Sequence, residues 1–343
     1  MNHPLRIAIA GAGQMGVAHA DAFRACGAEI VGIVDRDLER ARRLAAESGA
    51  QAFGSIDEVL AEGLDAISIC LPHSLHFEVA MKAAEKRIAL LIEKPHCVTL
   101  EESRALRAAC ARHGVLAMAG FTHRFLATSR SLKAAIRSGR MGRIDLVVDR
   151  LVAGSLGSLT PGWYRERALA GGGIAMIGMI HSIDRLHWLL DSEITSVTAL
   201  TRQSDTTSDV ESTALALLEF ANGAQAALVA HRSPVPGHER ANDYEIFGER
   251  LNAYCTVGSF AHQQLRFVGG VDSGCETVTD DRPFITEIQE FTSALVSGKS
   301  VSPDLEDAEI ALGVVLAIYE SGKTRQSIKL REFLGSPPAS HRL

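Results

Sequence analysis

No run of basic residues occurs anywhere in this 343-residue chain, whose 35 Lys and Arg are outnumbered by 41 Asp and Glu for a formal charge of −6. Without a basic stripe there is no electrostatic footprint for nucleic acid. Small neutral or anionic substrates stay open, because a site's local charge need not follow the total. Long apolar runs are missing too. The longest are broken by charges within roughly ten residues, short of the about 20 that a membrane span needs, and the N-terminal apolar segment is too short for a secretion signal. Cysteine is sparse and scattered: Cys26, Cys70, Cys97, Cys110, Cys255 and Cys275 include no C-x-x-C pair. That excludes a disulfide framework and reads as reduced thiols of a cytoplasmic protein. No H-x-x-x-H pair or His/Cys cluster has ligand spacing, so no metal is expected.

What is present is ordinary globular material, 46% apolar and 22% charged, in a length that suits two domains. From residue 5 to about 120, short apolar runs (7–10, 30–34, 66–71, 89–92, 115–119) alternate with helical stretches (15–26, 38–48, 73–86, 100–113). Apolar runs without strict alternation suit strands buried on both faces, and strand–helix alternation suits a parallel, doubly wound α/β sheet. Ser55-Ile-Asp-Glu58 and Thr99-Leu-Glu-Glu102 carry capping-box spacing at two helix starts. After Arg124 the texture changes. A helical piece at 174–190 precedes strand-like segments at 194–201, 213–220, 224–231, 244–247 and 251–257, separated by tight-turn signals. This predicts a C-terminal α+β domain with a largely antiparallel open sheet. Two amphipathic helices close the chain, the first with Phe284, Ile288, Phe291 and Leu295 on one stripe. The expected division is 1–122, 123–334 and a flexible tail at 335–343.

Gly11-Ala-Gly13-Gln14-Met15-Gly16 matches G-x-G-x-x-G directly after the first strand, and Asp35 ends the next one. Gly11 permits the tight turn, Gly13 lets backbone approach a pyrophosphate, and Gly16 lets helix and strand pack closely. The pyrophosphate would lie on the helix N-terminus, where free N–H groups favour an anion. Asp35 should accept from the ribose hydroxyls and repel a 2′-phosphate, which predicts NAD. Arg36, beside it, keeps NADP as the alternative.

Glu93-Lys94-Pro95 ends a strand beyond the switch point, where ligands bind in such sheets. Together with the glycine loop, Cys70-Leu71-Pro72 with His76, Gly171-Gly-Gly173 with His181 and Asp184, and the late segments Ser302–Ala308 and Ala317–Ser321, it resembles the glucose–fructose oxidoreductase / inositol dehydrogenase / MocA family over about residues 5 to 330. The resemblance implies hydride transfer between a nicotinamide and a hydroxyl or keto carbon of a sugar, polyol or cyclic alcohol. It makes Lys94 the group that contacts the substrate hydroxyl and assists proton transfer, and His181 the group that takes or gives the proton. It puts Gln14, Met15, Leu71, Pro72, His76, Glu93 and Lys94 at the cofactor. His123, Arg124, Trp163, Tyr164, Arg165 and Asp184 fall on the substrate side. Pro95 matches a proline whose peptide is often cis.

The residues support the same chemistry. A lysine beside a bound cation and apolar walls would have its pKa lowered toward neutrality, and a histidine already titrates there. One position departs. The family commonly has an aspartate four residues before the histidine, and here that residue is Ile177. On a regular helix Ile177 and His181 are one turn apart on one face, so a carboxylate expected beside the histidine is absent. A more apolar pocket admits a deoxysugar, a keto-sugar acid or a cyclohexadiene diol beside an ordinary sugar. A non-catalytic, cofactor-binding regulator is the alternative from another class. Strands with apolar residues on both faces (Leu215, Ala216, Leu217, Leu218) predict a homodimer or homotetramer built on the C-terminal sheet.

Overall fold

The computed structural model describes residues 3–154, 161–235, 238 and 241–335. They form two compact units, Met1–Phe125 with Arg282–Glu309, and Leu126–Asp281 with Ile310–Leu343. Among the described residues no helix is long and apolar enough to cross a membrane, and no group of three or more His, Cys, Asp or Glu is placed to hold a metal ion.

The first unit is built on six strands: β1 Arg6–Ala10, β2 Glu29–Val34, β3 Gln51–Phe53, β4 Ala66–Ile69, β5 Ala89–Glu93 and β6 Ala117–Gly120. All pairings are parallel, in the order β3-β2-β1-β4-β5-β6. This is the doubly wound dinucleotide-binding order, with its switch point between β1 and β4. Every residue of β4, β5 and β6 is buried, which is why these strands read as unbroken apolar runs. Both helix starts are capped, Ser55 accepting from the Asp57 N–H at 3.2 Å rather than from Glu58. Thr99 accepts from the Glu102 N–H at 3.2 Å, although the Glu102 carboxylate reaches back to Val98 rather than to Thr99 itself.

This unit also takes in residues 282–309, which the sequence pattern assigned to the second domain. The helix Pro283–Ser297 buries Ile288, Phe291 and Ala294 in the core beside Phe23, whose ring meets Phe291 edge-on at 6.3 Å. Thr122 donates to Glu287 at 2.9 Å at the same contact. An apolar stripe states that a helix face is buried, not what covers it. Ile288 and Phe291 each contribute about 1.5–3 kcal/mol.

The second unit is a nine-stranded sheet. Its strands are β7 Ile144–Ala153, β8 Ile194–Arg202, β9 Thr213–Phe220, β10 Gln225–Arg232, β11 Ala241–Gly248, β12 Asn252–Val257, β13 Gln263–Val268, β14 Gly274–Val278 and β15 Ile328–Lys329. The order is β14-β13-β12-β11-β7-β10-β9-β8-β15, antiparallel except where β7 meets β10. The sequence pattern did not expect β7, β13 and β14. β7 lies mid-sheet, but Asp149 and Arg150 interrupt its apolar run. Asp149 tolerates burial because Arg185 and Ser182 of the helix Ile180–Leu190 donate to it. The expected tail lies, beyond Gly335, outside the described residues.

Candidate active site

At the end of β1 the chain turns at once. Gly11 takes a φ of 101°, and its N–H donates to the Val34 carbonyl at 2.7 Å. A Cβ there would stand 2.3 Å from the Cys70 carbonyl oxygen, and one at Gly16 would stand 1.8 Å from the Gly11 oxygen. Gly13 differs, because a Cβ there would meet nothing within 4 Å. Two glycines are therefore demanded by the protein's own packing, while the third leaves open space. The helix Gln14–Ala25 that follows has no side-chain cap and no acid in its first turn. Its first N–H groups are left for an anion, and this fits a dinucleotide pyrophosphate. Gln14 is exposed and Met15 half-buried on that turn.

Asp35 holds the loop in place. Its Oδ2 accepts from the Ala12 N–H and its Oδ1 from the Asp37 N–H, each at 2.8 Å. A carboxylate has about four acceptor sites, so two remain for ribose hydroxyls. Beside it lies a cavity of 240 Å³ whose walls include Asp35, Arg36, Leu71, Leu75 and Lys82. Arg36 is exposed. Lys82 is bridged by Asp57 at 3.2 Å and Glu78 at 3.4 Å. A cavity with this charge balance suits free ribose hydroxyls better than a 2′-phosphate.

Lys94 follows the last residue of β5 and is half-buried; the Lys94–Pro95 peptide is cis. Beneath it lies a buried polar network. Glu93 Oε2 accepts from the Lys94 N–H at 3.1 Å, Glu93 Oε1 meets His19 Nε2 at 3.1 Å, and His19 Nδ1 meets Ser68 Oγ at 2.8 Å. Burial by itself would lower the His19 pKa. The Cys70 sulfur and the Glu93 carboxylate more than reverse this, and the ring titrates well above its ordinary 6.5. Burial would likewise raise Glu93, but the His19 hydrogen bond and charge, with Lys94, bring it below its ordinary 4.5. The result is an ion pair that bolts the glycine-loop helix to the Lys94 turn.

Two residues expected to touch the cofactor turn inward instead. His76 is fully buried, with Nδ1 2.8 Å from the Pro95 oxygen and Nε2 2.8 Å from the Leu71 oxygen, so it straps the ends of β4 and β5 together. Burial keeps its pKa low against those carbonyls. Glu93 is likewise buried, with one oxygen on the Lys94 N–H and the other on the His19 ring, while Leu71 and Pro72 are half-buried. Arg124, expected near the substrate, is committed to Asp307 at 3.0 Å and Ser302 at 3.1 Å with its side chain 4% exposed. Its charge is spent on anchoring the returning 302–307 segment. His123, beside it, is buried.

In the second unit His181 sits near the start of a continuous helix. The expected helix at 174–190 is present, with a π turn at Ala175–Met179 ahead of Ile180–Leu190. The π turn includes Ile177 and ends two residues before His181. Both are half-buried, and Asp184 is buried within the unit. Trp163 and Tyr164 stack with centroids 4.1 Å apart on the turn Gly162–Arg165, whose last carbonyl accepts from the Asp209 N–H.

The family described as "Oxidoreductase family, NAD-binding Rossmann fold" matches residues 5–121, and the GFO/IDH/MocA C-terminal domain matches residues 129–259. The chain belongs to the Gfo/Idh/MocA oxidoreductases. This family member is an NAD-dependent oxidoreductase. It is 29% identical to scyllo-inositol 2-dehydrogenase (NAD(+)) of Bacillus subtilis (strain 168), covering 96% of this chain and 97% of that protein. It is 26% identical to D-glucoside 3-dehydrogenase of Escherichia coli (strain K12), covering 95% and 98%. The fold superposes on levoglucosan dehydrogenase in complex with NADH and levoglucosan with a TM-score of 0.86, at 23% identity and 96% and 100% coverage. These relatives are enzymes, which leaves the regulator alternative without support.

Sequence reasoning passed over two buried side chains of this oxidoreductase. His19 follows Gly16 by three residues and so shares its helix face, where a polar residue on a buried stripe was the available signal. Glu211 lies in no motif at all. Only the folded chain brings it to Gly173.

Proposed function

We propose that the substrate is a hydroxylated ring (a sugar, cyclic polyol or cyclic alcohol) exchanging hydride at one CH–OH or keto carbon, with Lys94 and His181 handling the hydroxyl proton. The observation that carries this is the half-buried Lys94 fixed through Glu93 and His19 to the helix whose N-terminus fits the pyrophosphate. The relatives acting on inositol and glucosides support the substrate class. NAD, when bound, supplies the hydride acceptor, and its reduced form the donor. Lys94 offers an N–H to the substrate oxygen and trades a proton with it, which is worth about 10²–10⁴-fold in rate for a well-placed group. His181 relays that proton. Trp163, Tyr164 and Arg165 border the substrate, and Ile177 makes its surroundings more apolar, which favours a deoxysugar, keto-sugar acid or cyclohexadiene diol alongside ordinary sugars. Steady-state absorbance of reduced nicotinamide across such a panel tests this reading; no turnover with any ring alcohol would overturn it.

Cofactor preference follows from Asp35 and the neutralised Lys82. NAD is expected to bind at least tenfold tighter than NADP, and Asp35→Ala to narrow that gap, as measured by fluorescence titration. Tighter NADP binding by the parent protein would sink the argument.

The outer face of the second sheet supports a homodimer or homotetramer. Leu217 is 60% exposed and Leu200 49%, with Leu215 and Val229 on the same face. Such a contiguous apolar patch is rarely left bare. Light scattering at micromolar concentration should give at least a dimer mass, and Leu217→Glu should lower it; a parent monomer would end the idea.

A further inference from the structure

Two of the three glycines before the His181 helix, Gly172 and Gly173, pack tightly against a buried tyrosine and a buried carboxylate, Tyr319 and Glu211. Glu211, between β8 and β9, is 6% exposed. Its Oε2 accepts from the Gly173 N–H at 2.8 Å, and its Oε1 from the Ala175 N–H and the Tyr319 hydroxyl, both at 2.9 Å. Its backbone oxygen accepts from the Ile174 N–H at 3.0 Å. A Cβ at Gly173 would stand 1.9 Å from that backbone oxygen, and one at Gly172 would stand 2.0 Å from the Tyr319 hydroxyl. Any larger residue at either place would drive Glu211 or Tyr319 away.

The first N–H groups of a helix have no partner within it, and buried ones are costly to leave unmet. The residue at this N-cap, Ile174, has no side-chain cap to give. Glu211 serves that end from outside the helix, and its negative charge is well placed at the positive end of the helix dipole. Burial and the Glu211 carboxylate hold the Tyr319 phenol well above its usual range, so it remains a donor to Glu211. Further along, Gly178 lets the π turn lie against Leu151 of β7. Clamp and contact together fix the axial position and rotation of the segment from which Ile177 and His181 project.

We propose that Glu211 is a positioning residue for His181, acting through the N-terminus of the helix that carries it. The inference rests on the reading of His181 as a proton-transfer group. Glu211→Gln keeps one acceptor oxygen but puts an amide against the Gly173 or Ala175 N–H. A misplacement on the order of 1 Å can cost about 10²-fold in rate, so kcat on the panel's best alcohol is expected to fall by about that factor, with the NAD dissociation constant unchanged. In a His181→Ala background the same substitution should cost nothing further, because groups acting as one unit are not additive. In the isolated protein, the His181 imidazole resonance (assigned by its loss in His181→Ala) should move in Glu211→Gln. Tyr319→Phe, which spares both backbone bonds, should give the same pattern at about fivefold and serves if Glu211→Gln does not fold. An unmoved His181 resonance in folded protein, or an equal loss of kcat in both backgrounds, overturns the positioning role. Parental turnover in His181→Ala itself overturns the proton-transfer reading, and the positioning proposal with it.

Discussion

Replacing Lys94 by alanine is expected to lower kcat by about 10²–10⁴-fold while leaving NAD affinity within about twofold of the parent. The split follows from where the residue sits. The groups that fit the dinucleotide are the first backbone N–H groups of the helix Gln14–Ala25 and the Asp35 carboxylate. The Lys94 N–H is held by Glu93, and alanine keeps that bond. The variant should therefore fold, bind cofactor and lack only the amine. Stopped-flow absorbance of reduced nicotinamide, with fluorescence titration of NAD, reads both quantities. Near-parental turnover with normal binding would remove Lys94 from the proposed chemistry. His181→Ala should lose less than Lys94→Ala, since Ile177 supplies no carboxylate to orient the imidazole.

His19→Ala is the substitution with the largest expected cost in stability, about 3–5 kcal/mol, because it strands the Glu93 charge in the interior without its partner. The cost should depend on pH in a defined way. His19 has a raised pKa in the folded protein, so its contribution is complete below 6.5 and is lost as pH rises through the folded value. Glu93 has a lowered one, so its contribution is complete above 4.5 and is lost as pH falls through the folded value. Parent and variant should therefore differ most between pH 4.5 and 6.5, and less as pH rises through the raised His19 value, by urea unfolding. A gap of constant size would mean that the pair is not ionic. Loss of the pair should also loosen the Lys94 turn, so kcat should fall in this variant while the glycine loop still binds NAD.

The parallel sheet and its cofactor loop were legible because their signals are local. Gly11, Gly13, Gly16 and Asp35 stand within one strand–helix–strand unit, and burial on both faces leaves unbroken apolar runs. The second sheet was half legible. β8, β9, β10 and β12 alternate or follow tight turns, whereas β7 hides its central place because Asp149 is paired with Arg185 from another element. Site residues divide the same way. Lys94 and His181 lie in recognisable motifs, but the inward turn of His76, the commitment of Arg124 to Asp307 and the reach of Glu211 to Gly173 depend on partners many residues away. Single-chain periodicity carries no information about such pairings. The glycine triplet was visible as a motif, yet the close packing of Gly172 on Tyr319 and of Gly173 on Glu211 is something no spacing reveals.

The helix Pro283–Ser297, which completes the core of the first unit, has a consequence for how the chain is made. Leu126–Asp281 must be synthesised before that helix exists. At 5–20 residues per second this is a delay on the order of ten seconds, during which Phe23 and its neighbours lack the cover of Phe291. A nascent chain with every cofactor-loop residue already emerged would still present an unfinished core. Competence to bind NAD is thus tied to synthesis of the helix Pro283–Ser297, and a fragment ending at Phe125 carries the binding motif without the helix that seals the domain behind it.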